Sequence, residues 1–294
     1  MLGLTADDFR VKIAGKPARV ESALWVGSHA SEDADPLAAV PIEPDTSPSP
    51  VGRLIVFVFQ KDLEPSRIIG LMRMLIEAQG FLQKLTHTDR VAILSFDSHL
   101  KIWVDFTNDH ERLRRILDHG ILFERPQPTE EAGSVSLGTR LDSAVGKRTY
   151  SIERGLQLIG EALQPLPGSK SIVLVGHGFG RFGAGGVTMD PGYALARDAL
   201  LAARAAVFSL DVTDADYHSL EVGLQLVSAQ TGGFFTRTHI FTRQAMTRLA
   251  GALAGYYVLF VEKPALERGW HEIGVELVPG RRATVLARSS LTVE

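Results

Sequence analysis

An unbroken apolar run at residues 54–59 predicts the central strand of the protein. The run is rich in β-branched and aromatic residues and too short for a helix, a pattern typical of a parallel strand covered on both faces. The positions after it repeat at helical spacing and predict one buried helix face: Ile68, Leu71, Met72, Leu75, Ala78, Leu82 and Leu85. Ligands bind such sheets at the carboxyl ends of the strands, so the turn at 60–64 is the first place to look for a site.

Further strand patterns alternate with helical patterns along the chain. Residues 100–106 alternate between apolar and polar and predict an edge strand antiparallel to its predecessor. The other predicted strands are 90–96, 171–176, 206–212 and 233–236, and the later helices lie near 193–204, 219–230 and 242–255. This alternation predicts the α/β class, with a doubly wound, mostly parallel sheet of Rossmann type.

Both ends of the chain have a different pattern. Residues 1–26 predict a β-hairpin, and residues 27–50 collect prolines, acids and serines without periodicity, as a linker does. Residues 51–255 form the predicted α/β domain. Residues 256–294 predict three strands, at 256–261, 271–278 and 283–289, with no helix between them. A lone hairpin is marginal in water, so we expect the two ends to share one small antiparallel β-module.

Composition excludes several classes of function. The net charge of −3 over 294 residues gives no support for binding nucleic acid, and the absence of cysteine excludes thiol catalysis, thiolate zinc sites and disulfides. We expect no membrane span, because no apolar run reaches the necessary length. The first eight residues lack the basic and apolar regions of a signal peptide.

Several motifs occur in an order that resembles a known family. They are residues 4–9 with 15–17, 89–93, 105–109, 167–171 and 256–257. Together with the order of strands and helices, they resemble the bacterial proteins related to the von Willebrand factor A domain, of the type common in acidobacteria. The resemblance implies a protein-binding or adhesion role, a protein partner, and export of a longer precursor.

The resemblance also implies a metal-ion-dependent adhesion site at the top of the sheet. In the family, an Asp-x-Ser-x-Ser turn, a threonine and a later aspartate hold magnesium or manganese, which prefer oxygen ligands. Here the turn reads Gln60, Asp62 and Glu64, the threonine is Thr139, and His177 stands at the later aspartate. Only the threonine is retained, so we expect a degenerate site at Asp62, Glu64, Thr139 and His177 without bound magnesium or manganese. The same residues with Gln60 form the expected partner-binding rim.

Other interpretations of these residues stay open. Asp62 and Glu64 suit a solvated acidic turn that opens a helix, and with His177 they suit a remodelled zinc site in a metal-assisted enzyme. The stretch 176–180 imitates the nucleophile elbow of hydrolases but has Gly178 at the nucleophile position, and the Gly-x-Gly-x-x-Gly at 178–183 does not lead directly into a helix. We therefore expect a non-catalytic module without catalytic residues or cofactor.

Overall fold

The computed structural model describes residues 3–27, 52–127, 135–262, 264–280 and 283–293. Its strands are β1 (Phe9–Ile13), β2 (Lys16–Ala18), β3 (Val20–Gly27), β4 (Leu54–Gln60), β5 (Arg90–Phe96), β6 (Leu100–Thr107), β7 (Lys170–Gly176), β8 (Arg181–Gly183), β9 (Gly186–Thr188), β10 (Ala205–Asp211), β11 (Phe235–Arg237), β12 (Gly255–Val261), β13 (Gly269–Leu277) and β14 (Ser290–Val293). Its α-helices are α1 (Pro65–Leu82), α2 (His110–Arg115), α3 (Ile121–Phe123), α4 (Ser143–Lys147), α5 (Ile152–Leu163), α6 (Tyr193–Ala202), α7 (Glu221–Thr231) and α8 (Thr242–Leu253). A 3₁₀ turn spans Ala6–Asp8, and a π-helical turn, Ile116–Gly120, joins α2 to α3.

A six-stranded sheet in the order β11-β10-β7-β4-β5-β6 forms the centre of the molecule. All neighbours in it are parallel except β6, which runs antiparallel to β5. The sheet confirms the predicted α/β class and the predicted antiparallel edge strand. The connection reverses direction between β4 and β7, which is the topological switch point where such sheets form a crevice.

The continuous apolar run of β4 is explained by burial on both of its faces. Val56 and Val58 pack into one core with α5, α6 and α7, while Phe57 and Phe59 pack into the other with α1 and α8. All seven residues of β4 are buried. Because both faces are covered, the strand has no polar alternation, as expected of a central parallel strand.

Strands from both ends of the chain form the antiparallel sheets beside the central one. Strand β1 pairs with β13, and β3 pairs with β12. The rings of Phe9 and Trp25 lie 5.4 Å and 4.9 Å from the ring of Tyr257. A separate antiparallel layer therefore accompanies the α/β sheet, while the division of the chain at residues 26, 50 and 255 stays a prediction. The predicted linker, apart from Gly27, lies outside the described residues.

Two details predicted for the chain ends are wrong. The predicted N-terminal hairpin is limited to β1 and β2, and β3 leaves it to pair with β12. The last strand lies at 290–293 rather than 283–289. Arg288 instead bridges to Thr231 at the end of α7, and the Ser289 N–H donates to the Gln230 carbonyl at 3.3 Å. Residues 283–287 form no strand, and Ser289 contacts β13 as well as α7, because its carbonyl accepts from the Ile273 N–H at 2.8 Å.

The glycine-rich stretch after β7 contains two short strands. Strands β8 and β9 form a small hairpin, and Arg181 forms an ion pair with Asp190 beyond it at 2.5 Å. Elsewhere, helix α2 begins after Asp109, whose carboxylate accepts from the Arg112 N–H. None of the helices in the described parts of the chain combines the length and hydrophobicity that a bilayer-spanning segment requires.

Candidate functional site

The carboxyl ends of four parallel strands meet at one edge of the sheet. We call this edge the rim, and it consists of the segments that follow β4, β7, β10 and β11: 61–64, 177–192, 212–220 and 238–241. Hydrogen bonds join these segments, for example from the Asp214 N–H to the Ser66 carbonyl at 2.7 Å and from the Phe179 N–H to the Leu220 carbonyl at 3.2 Å. The rim is therefore one connected surface, at the place where α/β sheets bind ligands.

At the switch point, the side chain of Gln60 joins the end of β4 to the segment after β7. Its Oε1 accepts from the backbone N–H of His177 at 3.1 Å, and its Nε2 donates to the carbonyl of Gly178 at 3.1 Å. Gly176 leaves room for this amide, because a Cβ at Gly176 would lie 2.0 Å from Gln60 Oε1. Gln60 is buried, so both ends of its carboxamide are engaged with the neighbouring strand end.

Close packing also explains why residue 178, which corresponds to the nucleophile position of a hydrolase elbow, is a glycine. Gly178 has a φ of 100°, which side chains rarely adopt, and a Cβ there would lie 2.4 Å from the Leu220 carbonyl oxygen. The glycine pattern of this turn thus serves the approach of two rim segments.

Asp62 and Glu64 share one cation, the guanidinium of Arg67. Arg67 forms an ion pair with Asp62 and lies 3.2 Å, Nε to Oε2, from Glu64. Asp62 Oδ1 also accepts from the Glu64 N–H at 3.0 Å, and Ser66 Oγ donates to Glu64 Oε1 at 2.7 Å. Burial pushes the pKa of Asp62 up, but the Glu64 N–H and Arg67 together hold this pKa below its usual value. We call Asp62, Glu64 and Arg67 the acidic turn.

His177 and Thr139 have different relations to the acidic turn. His177 Nε2 lies 3.9 Å from Asp62 Oδ2, and its buried Nδ1 makes no hydrogen bond. Burial and the nearby Arg67 keep the pKa of His177 below its usual value, despite the opposing attraction of Asp62 and Asp211. Thr139 is exposed, and in the described part of the chain no hydrogen bond or ion pair joins it to the other predicted residues. The structure thus brings Gln60, Asp62, Glu64 and His177 together.

A second acidic group at the rim was not identified from the sequence. Asp211 ends β10, His218 lies in the following segment, and Glu221 is the first residue of α7. We call these three residues the buried cluster. Their ligand atoms all lie within 4.8 Å of one another, and His218 Nε2 is 2.8 Å from Asp211 Oδ2. Asp211 and Glu221 are 0% and 1% exposed.

Arg237, at the end of β11, compensates part of this buried charge. Its guanidinium donates to both oxygens of Glu221, at 2.8 Å and 2.6 Å. Asp211 in turn accepts from the Thr213 N–H at 3.0 Å. One feature of the sequence could have indicated this group, namely the aspartate near the end of the predicted strand 206–212. The family pattern instead places its later aspartate at His177, directly after β7.

The rim also exposes large apolar side chains. Each of its four segments carries one that is between 64% and 76% exposed: Leu63, Phe182, Tyr217 and Ile240. His239, beside Ile240, lies 3.3 Å from Asp216, beside Tyr217, so the segments after β10 and β11 are held next to each other. Exposed apolar side chains at one edge of the sheet are candidates for a protein interaction surface.

No protein-family model matches the sequence, and no curated protein matches it. Several solved structures are similar to the fold. The conserved hypothetical protein BatB from Bacteroides thetaiotaomicron is 15% identical, and the alignment covers 68% of this chain and 96% of that chain, with a TM-score of 0.44. The vWF domain of the type V pili tip protein Mfa5 from Porphyromonas gingivalis is 11% identical, covering 69% and 95%, with a TM-score of 0.47.

A von Willebrand factor type A structure from Catenulispora acidiphila is also similar, at 11% identity and a TM-score of 0.44. That alignment covers 86% of this chain and 51% of that chain. At these identities the similarity concerns the fold alone. The sheet is mostly parallel, with β6 as its antiparallel edge strand, as the sequence predicted. The chain has an α/β fold with a mostly parallel central sheet, and structures of von Willebrand A type are among those similar to it.

Proposed function

We propose that this chain is a non-catalytic protein-binding module of adhesion type, which contacts its partner through the rim. The observation that carries the proposal is the set of four exposed apolar side chains, Leu63, Phe182, Tyr217 and Ile240, one from each rim segment. A monomeric protein gains nothing in stability from such exposure, whereas a partner that covers these side chains removes apolar area from water.

We further propose that the family-type metal site is degenerate and that binding needs neither magnesium nor manganese. Magnesium requires about six oxygens in near-octahedral array and gives up its waters reluctantly. Here the guanidinium of Arg67 already lies between Asp62 and Glu64, and both ends of the Gln60 carboxamide are engaged with the backbone. The residues present therefore do not suit a hard divalent cation at the acidic turn.

Two features of the rim support a non-catalytic role. The turn after β7 has Gly178 where a hydrolase has its nucleophile, and the chain contains no cysteine. The carboxylates of the acidic turn, which the alternative metal-assisted enzyme would use, are engaged with Arg67. Binding through the rim uses the exposed side chains without requiring a reactive group.

The proposal is tested by comparing two double variants as bait in pull-down experiments from the native source. The rim variant carries Leu63→Ser and Tyr217→Ser, and the control variant carries Leu24→Ser and Trp270→Ser, which change exposed apolar residues of the antiparallel sheets. We expect the wild type and the control variant to retain the same protein, in magnesium and in EDTA alike, and the rim variant to lose it. Retention by the rim variant, or release by EDTA that magnesium reverses, contradicts the proposal.

A further inference from the structure

The buried cluster has less positive charge around it than two buried carboxylates require. Asp211 and Glu221 are almost completely removed from water, and buried charges persist only when they are paired or coordinate a metal. Among the described residues, Arg237 is the only lysine or arginine that forms an ion pair with either of them. Its guanidinium binds Glu221, which leaves Asp211 with His218 as its partner.

The ligand atoms in this cluster suit a particular class of cation. An imidazole nitrogen and two carboxylate oxygens lie within 4.8 Å of one another. Imidazole is a poor ligand for magnesium, whereas zinc accepts nitrogen and carboxylate oxygen together at about 2.0–2.2 Å. Three protein ligands with one remaining position are also a common composition of open zinc sites.

We propose that Asp211, His218 and Glu221 form a zinc-binding site in which Arg237 takes the place of the metal when zinc is absent. A zinc ion would neutralise both carboxylates, which the single guanidinium does not. Binding requires His218 Nε2 to release its contact with Asp211 and requires Arg237 to move away from Glu221. Arg237 is more than a third exposed, so its side chain has solvent to move into.

Several features around the buried cluster favour the binding of a metal ion there. The hydroxyl of Thr213 is buried and has no hydrogen-bond partner, and its own backbone N–H contacts Asp211 at 3.0 Å. His218 is partly exposed and gives access from the rim. The ligands come from the end of β10, from the segment after it and from the start of α7, so zinc would tie this segment to the sheet.

This site is distinct from the acidic turn. It uses none of the residues that the family pattern predicts, and its arginine comes from β11 rather than from α1. The inference goes beyond the proposed protein-binding function, because the apolar rim contacts do not depend on zinc. Partner capture and zinc binding can therefore fail independently.

The test is a zinc titration of untagged protein that has been stripped with EDTA and freed of chelator. We expect isothermal titration calorimetry to show saturable binding of one zinc per chain, whereas magnesium should give no heat of binding. In separate thermal unfolding experiments, zinc should raise the melting temperature by several degrees. His218→Ala should weaken zinc binding by more than about tenfold, since even residues that merely orient ligands contribute 10- to 100-fold. His271→Ala, which changes a histidine on β13, is the control and should bind as the wild type does.

A second variant separates the metal site from a purely structural ion pair. Arg237→Ala should be less stable than the wild type without metal, should bind zinc more tightly, and should recover its melting temperature in zinc, because no guanidinium then has to leave Glu221. His218→Gln leaves Asp211 an amide donor in place of the imidazole, so circular dichroism should show this variant folded and a loss of zinc binding in it does not arise from unfolding. Absence of zinc binding in both the wild type and Arg237→Ala, or unchanged binding in both His218 variants, would overturn the proposal.

Discussion

The rim contains two groups in which a pair of carboxylates meets an arginine, and their surroundings differ sharply. In the acidic turn the side chains of Asp62 and Glu64 are 32% and 52% exposed. In the buried cluster the side chains of Asp211 and Glu221 are 0% and 1% exposed. The acidic turn is also local in sequence, whereas the Glu221–Arg237 pair joins residues 16 positions apart across α7.

The difference shows that residue type alone does not decide how much a charged group contributes to the stability of the fold. Around the acidic turn, water screens the charges and would solvate them if Arg67 were absent, so the ion pairs add little. In the buried cluster, the removal of one partner leaves a charge that water cannot reach. The buried cluster is therefore the group whose integrity matters for the fold, although the acidic turn matches the position of the family motif.

The largest effect that this comparison predicts is for Arg237→Ala in metal-free protein. Glu221 would keep a buried carboxylate without its cation, and we expect a loss of about 3 kcal/mol in the free energy of unfolding. Urea unfolding followed by circular dichroism measures this loss. Arg243→Ala, at an exposed position on α8, is the matched control and should change little. A loss below about 1 kcal/mol for Arg237→Ala would remove the contrast between the two groups.

A smaller loss in the free energy of unfolding is predicted for Gln60→Leu, which removes the amide that joins the end of β4 to the segment after β7. The substitution leaves the His177 N–H and the Gly178 carbonyl without their partner, and an unsatisfied buried polar group costs about 1–3 kcal/mol. Gln60→Glu would bury a carboxylate without a cation and against the Gly178 carbonyl, so urea unfolding near neutral pH should find it at least as destabilised as Gln60→Leu. Equal stability of all three proteins would show that the amide does not hold the switch point closed.

Arg67→Ala should have a still smaller effect on stability, below about 1 kcal/mol, because its partners are accessible to solvent. The pKa of Asp62 should nevertheless rise, since Arg67 helps to keep it low in the folded protein. A lowered carboxyl pKa stabilises the folded state above the pKa of the unfolded chain, and this contribution is lost as pH falls through the folded pKa. Arg67→Ala should thus flatten the acid limb of the stability profile. NMR titration and urea unfolding from pH 2 to pH 7 measure both quantities.

The smallest predicted effect is that of magnesium. Millimolar magnesium, manganese and EDTA should give superimposable melts of stripped protein, whereas a native-state ligand at a hundred times its dissociation constant would add about 2.7 kcal/mol. The double variant Gln60→Asp with His177→Asp should behave in the same way, because Asp62 and Glu64 still stand where the family has hydroxyls and Arg67 still binds them. A magnesium-dependent rise of several degrees in the unmodified protein would contradict the degenerate site.

Sequence patterns predicted the central sheet well because burial dictates them directly. A strand with both faces covered must be apolar throughout, as β4 is. The alternation along β6 located the edge strand, although the structure buries both Trp103 and Val104, where the register with β5 shifts. The strand predicted at 283–289 failed for a different reason. Its alternation is compatible with a strand, but a strand also needs a neighbouring strand to pair with, and here Arg288 bridges to Thr231 at the end of α7.

By itself, the sequence determined the α/β class, the order of strands and helices, and the position of the first acidic turn, because each depends on residues that are neighbours along the chain. Only the tertiary structure decided which charges lie together away from water. Asp211, His218, Glu221 and Arg237 come from two strands, a connecting segment and a helix, and their proximity follows from how the strands line up in the sheet. Burial is likewise a property of the packed molecule, so the more consequential of the two groups appeared only with the fold.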